Sequence, residues 1–324
     1  MIAGLKNPDR TYGMKENKDL YFDIFNKLDF TRIIDHPNIL IAANFWDEDR
    51  YRAAKVCYKF MREIDDFIDN YKSEFITIEE QDKQAFIEKV NTWIGSLKDN
   101  DSNGILDKEL LSTFSTYKIP YWTMENFALA MIYDINHNGF SSLNSFLEYS
   151  RGASIAPASV FVHLCGIRKT SSGFLSPEYD VKRAATPCAI FSYLVHIIRD
   201  FQKDQLNNLN YFADDKIQKY GLQRGDLSEM ANGLPIKQGF RDMIKEYYSL
   251  ADIYKIKTKE MIHEISPLLE PRYQLSLEII FNLYLMVFER IDFEKGSFTK
   301  EELNPTCEEI KERVRQTIVE FREV

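Results

Sequence analysis

Apolar residues recur every three to four positions along most of this chain, the spacing of a helix that turns one face to a core. Runs that alternate apolar and polar residues, the mark of a half-buried strand, are absent. The period predicts helices over 17–33, 38–46, 48–70, 78–97, 106–116, 122–135, 142–151, 155–167, 180–204, 237–265, 271–292 and 303–322. Breaks fall where the few glycines and prolines sit: before Pro37, at Asp101–Gly104, at Gly173–Pro177 and at Pro267–Pro271. Asp204 to Leu234 is the least periodic stretch and predicts a loop with a short helix, placed where it could cover a site. With no repeat, low-complexity tract or linker, the pattern predicts one all-α domain spanning residues 1–324.

Composition changes this picture little. A chain of 324 residues buries enough surface to fold without disulfides or a structural metal. Aromatic residues reach 14%, which supplies either bulky core packing or the lining of a tunnel for a long hydrocarbon. The net charge of −9 argues against nucleic acid, whose phosphates reward clustered Lys and Arg. Cys57, Cys165, Cys188 and Cys307 lack metal-type spacing and read as reduced, buried thiols of a cytoplasmic protein. No signal-peptide core or membrane-spanning apolar run is present, and peripheral membrane contact is left open.

Two acidic segments carry the chemistry. In Tyr51–Asn70, residues Tyr58, Arg62, Asp65 and Asp69 share one stripe of a helix, beside an apolar stripe of Ala54, Cys57, Met61, Ile64 and Ile68. Carboxylates one turn apart, with Asp66 beside them, repel each other unless a cation lies between. Two hard oxygens so spaced suit Mg²⁺, which completes its shell with water and substrate phosphate. Arg62 could pair with the same phosphate. A solvated acidic face balanced by Arg62 and Lys59 explains this segment alone equally well. The second segment, Ala189–Asp204, aligns Tyr193, His196, Asp200 and Asp204 in nearly the same stripe, with Arg199 beside it. An Asp pair inside an otherwise apolar helix is costly to bury and hard to explain as a wet face. Two such helices facing each other would form an acid-walled cavity for Mg²⁺ and a diphosphate.

Arg62-Glu63-Ile64-Asp65-Asp66-Phe67-Ile68-Asp69, preceded by Tyr58, resembles the first Asp-rich motif of the squalene/phytoene synthase family. Arg199-Asp200-Phe201-Gln202-Lys203-Asp204, followed by Tyr211-Phe212, resembles the second. Met131–Asp134 leading into Tyr149, the small-residue stretch after it, and Pro271-Arg272 with Tyr284 and Phe288–Ile291 are also similar to the family. The resemblance implies a single helical bundle around a central cavity and head-to-head joining of two farnesyl or geranylgeranyl diphosphates. It implies metal ligation by Asp65, Asp69, Asp200 and Asp204, with Tyr58 among the catalytic residues. It places Arg62, Arg199, Tyr193, His196, Tyr149 and Tyr211 against substrate. Mg²⁺, or Mn²⁺ in its place, is the implied cofactor, and a need for NADPH is left undecided.

The chain departs from the family at several positions. The early Ser-Phe-Ser contact is Asn38-Ile39-Leu40, Tyr193 and His196 replace a Gln and an Asn, and Leu209 and Glu301 replace arginines. Lys203, Lys300 and Arg272 are candidates to replace lost phosphate contacts. The carboxylates near His196 predict a raised imidazole pKa when metal is absent. Two other readings stay open: cyclisation or hydrolysis of a single prenyl diphosphate, and a catalytically weak assembly or chaperone-like protein on the same fold.

Overall fold

The computed structural model describes residues 8–31, 38–74, 78–99, 106 and 108–324. The expected breaks at Pro37 and Asp101–Gly104, and the end of the first expected helix, lie outside these. Sixteen α-helices occur among the described residues: α1 Pro8–Lys27, α2 Asn38–Ala43, α3 Glu48–Glu74, α4 Glu80–Lys98, α5 Lys108–Tyr117, α6 Trp122–Asn136, α7 Leu143–Ser150, α8 Ala156–Gly166, α9 Val181–Arg199, α10 Phe201–Leu206, α11 Asp214–Lys219, α12 Arg224–Ala231, α13 Gln238–Ile265, α14 Pro271–Phe288, α15 Lys300–Leu303 and α16 Cys307–Glu320. Their buried apolar faces merge into one core. No helix among the described residues is long and apolar enough to cross a membrane.

Two helices position the site. Helix α3 starts where the Asp47 carboxylate accepts the Arg50 backbone N–H at 3.0 Å, with Glu48 and Asp49 in its first turn to complement the helix dipole. Ala53, Cys57, Phe60, Ile64 and Ile68, spaced three or four apart, form its buried face. Helix α9 starts on the Asp180 side chain, which accepts from the Arg183 N–H at 2.9 Å. Ala185, Ile190, Phe191, Leu194, Val195 and Ile198 are all buried, so α9 is apolar nearly all round, as a central helix must be. It packs against α8, α13 and α14.

Several expectations are corrected. The single helix expected over 180–204 breaks at Asp200, whose backbone (φ −91°, ψ 3°) leaves the helical region between α9 and α10. The helices expected over 142–151 and 155–167 are joined through a π-helical turn, Arg151–Ile155. Pro157 lacks the N–H that Ala153 O would receive, and the turn widens just before it, with Ala156 N–H bonding Arg151 O. Gly152 makes that turn fit. A Cβ there would lie 2.1 Å from Asn126 O on α6. The expected absence of strands fails at β1 Arg168–Thr170 and β2 Gly173–Leu175, a short antiparallel hairpin turned through Gly173 at φ +128°. Asp204–Leu234 holds three short helical pieces, the end of α10 with α11 and α12, rather than one. All four cysteines are free, but Cys188 and Cys307 are half-buried rather than buried.

Candidate active site

A cavity of about 430 Å³ opens between α3, α8, α9, α13 and α14, within the range of roughly 300–1,000 Å³ usual for small-molecule sites. Tyr58, Arg62, Asp65 and Asp69 line it from α3, and Tyr193, His196, Asp200 and Asp204 from α9 and α10. Tyr149 and Tyr211 also line it. Every sequence-predicted site residue except Arg199 therefore meets in one place. Asp66 stays outside, in an ion pair with Arg62, which also holds Asp65 at 2.9 Å. Away from the acidic end the walls are apolar: Phe127, Met131, Val160, Phe161, Leu164 and Ile280. Ala54, Ala153, Ala184 and Ala189 keep those walls thin.

Periodicity alone did not point to the contributions of α13 and α14, which bring Thr258, Met261, Leu277 and Tyr284 to the cavity. Nor did it assign a role to Asp134. That carboxylate accepts the Tyr149 hydroxyl and is pushed up to about 7, mainly by burial and further by Asp69. Lys72 opposes that rise and donates to Asp134 O at 2.9 Å.

The acidic end is electrostatically loaded. Withdrawal from water and the neighbouring Asp69 push Asp65 up to about 7. Asp69 is also raised, by the same withdrawal, against the opposing charges of Lys72 and Arg62. Asp204 reaches about 8 through burial, then repulsion from Asp200 and, across the cavity, from Asp69. Asp200 moves the other way. Burial would raise it, but the Arg199 fork outweighs burial and holds it below the ordinary carboxylate value. This is where Arg199 goes: its guanidinium is spent on Asp200, so it does not line the cavity as a free phosphate ligand. Side chains of adjacent residues do not face each other on a straight α-helix, and the break at Asp200 accompanies this contact.

His196 is also corrected. Its imidazole is pulled down to about 3, by burial first and the Arg199 charge second, against Asp200. Asp200 does pull the pKa upward, but burial and the adjacent Arg199 charge together outweigh it. The ring meets Tyr284 edge-on at 5.0 Å. Of the candidate replacement cations, Lys203 lines the cavity. Arg272 does not, because it donates to Phe45 O and Trp46 O at 3.0 and 3.1 Å. Lys300 is also absent from the lining, and its backbone N–H is held by Gln202. Ile39 and Leu40 do line it, adding apolar wall where the family contact would be.

The family model for squalene/phytoene synthase matches residues 36–305. The chain belongs to the squalene/phytoene synthase family. Solved structures share the family fold. Squalene synthase HpnC from Alicyclobacillus acidocaldarius has a TM-score of 0.59 at 12% identity, covering 83% of this chain and 90% of that one. A dehydrosqualene synthase in complex with ligand gives 0.61 at 12%, covering 94% and 99%. YisP from Bacillus subtilis gives 0.57 at 15%, covering 93% and 97%. No curated protein is a significant match in sequence.

For a squalene/phytoene synthase family member, the donor set is telling. Asp65, Asp69, Asp200 and Asp204 offer only hard oxygens, and their mutual repulsion is what a divalent cation relieves. No three His, Cys, Asp or Glu side chains among the described residues converge on one metal point.

Proposed function

We propose that this protein is a Mg²⁺-dependent prenyltransferase that joins two prenyl diphosphates, farnesyl or geranylgeranyl, head-to-head to a squalene- or phytoene-type product. One observation carries this reading: two Asp pairs from separate helices line the polar end of a cavity whose remaining walls are apolar. That arrangement fits a molecule with a diphosphate head and a hydrocarbon tail.

Asp65 and Asp69 would hold metal on one wall, and Asp200 and Asp204 on the other. Bound there, Mg²⁺ would offset the charge that grows on the departing diphosphate. The protein's own residues do the rest. Arg199 keeps Asp200 ionised and oriented. Arg62 fixes Asp65. The apolar walls exclude water that would otherwise quench a carbocation. The rings of Tyr58, Tyr149, Tyr193, Tyr211 and Tyr284 line the same cavity, and aromatic faces attract the positive charge of a reacting chain.

Reaction of a single prenyl diphosphate is the competing reading. Its support is Arg199, which is turned onto Asp200 and leaves one fewer cation for a second diphosphate. Incubation with farnesyl or geranylgeranyl diphosphate and Mg²⁺, followed by mass spectrometry of the products, separates the two. A product with twice the carbons of the substrate supports condensation. A cyclic product or prenyl alcohol of unchanged carbon number supports the single-substrate reaction, and unconsumed substrate contradicts both.

A further inference from the structure

A diphosphate entering this cavity meets four carboxylates, so the cations among them decide where an anion can rest. Arg62 is occupied by Asp65 and Asp66, and Arg199 by Asp200. Lys203 is different. It lines the cavity and reaches solvent, and its ammonium forms no ion pair among the described residues.

The local fold explains its placement. Helix α10 buries Phe201 and Gln205, one turn apart. Phe201 packs on Phe240 with centroids 4.5 Å apart, and Gln205 Nε2 donates to Leu209 O at 3.1 Å. With that face anchored in the core, the opposite one carries Asp200, Lys203 and Asp204 into the cavity, at the three- and four-residue spacing of one helix face. Gln202 anchors the same turn from outside, donating to Ala231 O at 3.3 Å and accepting the Lys300 N–H at 3.0 Å.

We propose that Lys203 is a built-in, metal-independent contact for the diphosphate of the substrate, set into the second Asp pair. This rests on the reading of the site as a prenyl diphosphate cavity and assigns one substrate-binding residue within it. An ammonium is a compact point charge on a flexible stem, able to meet a phosphate oxygen without the planar geometry that a guanidinium requires. The alternative role for Lys203 is that of a counter-ion, whose charge only eases the crowding of Asp69, Asp200 and Asp204.

Calorimetric titration with inorganic pyrophosphate separates these roles, run with Mg²⁺ and again in EDTA, on wild type, Lys203→Met and Lys203→Arg, with melting temperatures measured alongside. Loss of one charge-assisted contact predicts a roughly tenfold to hundredfold weaker affinity for Lys203→Met under both conditions. Lys203→Arg, which keeps the charge, should recover most of it. Equal pyrophosphate affinity in wild type and Lys203→Met, with only the melting temperature changed, leaves Lys203 a counter-ion. That result overturns this inference while leaving the prenyl diphosphate reading intact. A wild type that binds no pyrophosphate with Mg²⁺ or without it overturns both.

Discussion

Arg199 grips both carboxylate oxygens of Asp200, at 2.8 and 2.7 Å, from the adjacent position in the chain. The contact divides the second Asp pair into unlike halves. Asp200 is held charged, while Asp204, one turn later, is pushed up to about 8. Under the proposed function, Arg199 is a positioning residue for a carboxylate that would bind the metal. Arg199→Met should raise the Mg²⁺ concentration needed for half-maximal activity by roughly 10–100-fold, the usual effect of losing a partner behind a metal ligand. Arg199→Lys should recover little of this, because an ammonium cannot reproduce the two-pronged contact. A Mg²⁺ titration of activity for the three proteins checks this, and superimposable curves would contradict it.

The raised carboxyls make a stability prediction. Asp65 and Asp134 at about 7 and Asp204 at about 8 hold protons in the folded chain that the unfolded chain releases near pH 4. Between about pH 4 and 8 the folded state therefore binds more protons, and metal-free stability falls as pH rises. Each such carboxyl contributes a slope of at most about 1.4 kcal/mol per pH unit. Asp204→Asn removes one of these groups. In EDTA it should melt higher than wild type at pH 8 and show little difference at pH 4, while losing activity. A lower melting temperature than wild type at pH 8 would show that Asp204 is structural.

His196 should be silent as an acid or base. With its pKa drawn down to about 3 by burial and Arg199, it should stay neutral throughout the physiological range in the ligand-free chain. Proton NMR of the imidazole signals, assigned with His196→Asn, should place its midpoint below about 5. A midpoint near the ordinary histidine value of about 6.5 would contradict this.

Much of the site was legible because helical spacing is local. Tyr58, Arg62, Asp65 and Asp69 share a stripe by arithmetic, and so do Tyr193, His196, Asp200 and Asp204. That these stripes meet follows from tertiary packing, which the motif resemblance anticipated and the cavity now displays. What spacing could not reveal depends on contacts between distant residues or on a bend. Arg199 turns onto its neighbour where the helix breaks at Asp200, a bend that the apolar period does not mark. The π turn at Arg151–Ile155 reflects Pro157 and the tight fit of Gly152 against α6, neither of which disturbs the apolar period. Arg272 looked like a spare phosphate ligand, yet it is used to cap carbonyls far away in sequence, at Phe45 and Trp46.

Under the proposed function, the two Asp pairs act together, through Mg²⁺, on a prenyl diphosphate. Release of pyrophosphate from farnesyl diphosphate tests this most directly, measured for wild type, Asp65→Ala and Asp200→Ala, each with Mg²⁺ and with EDTA. Wild type should release pyrophosphate with Mg²⁺ and not in EDTA. Either substitution should lower the rate by at least about a hundredfold, because each removes a carboxylate that would hold the charge-stabilising ion, while circular dichroism shows an unchanged helical fold. Release at the full wild-type rate in EDTA, or by both variants with Mg²⁺, would contradict it.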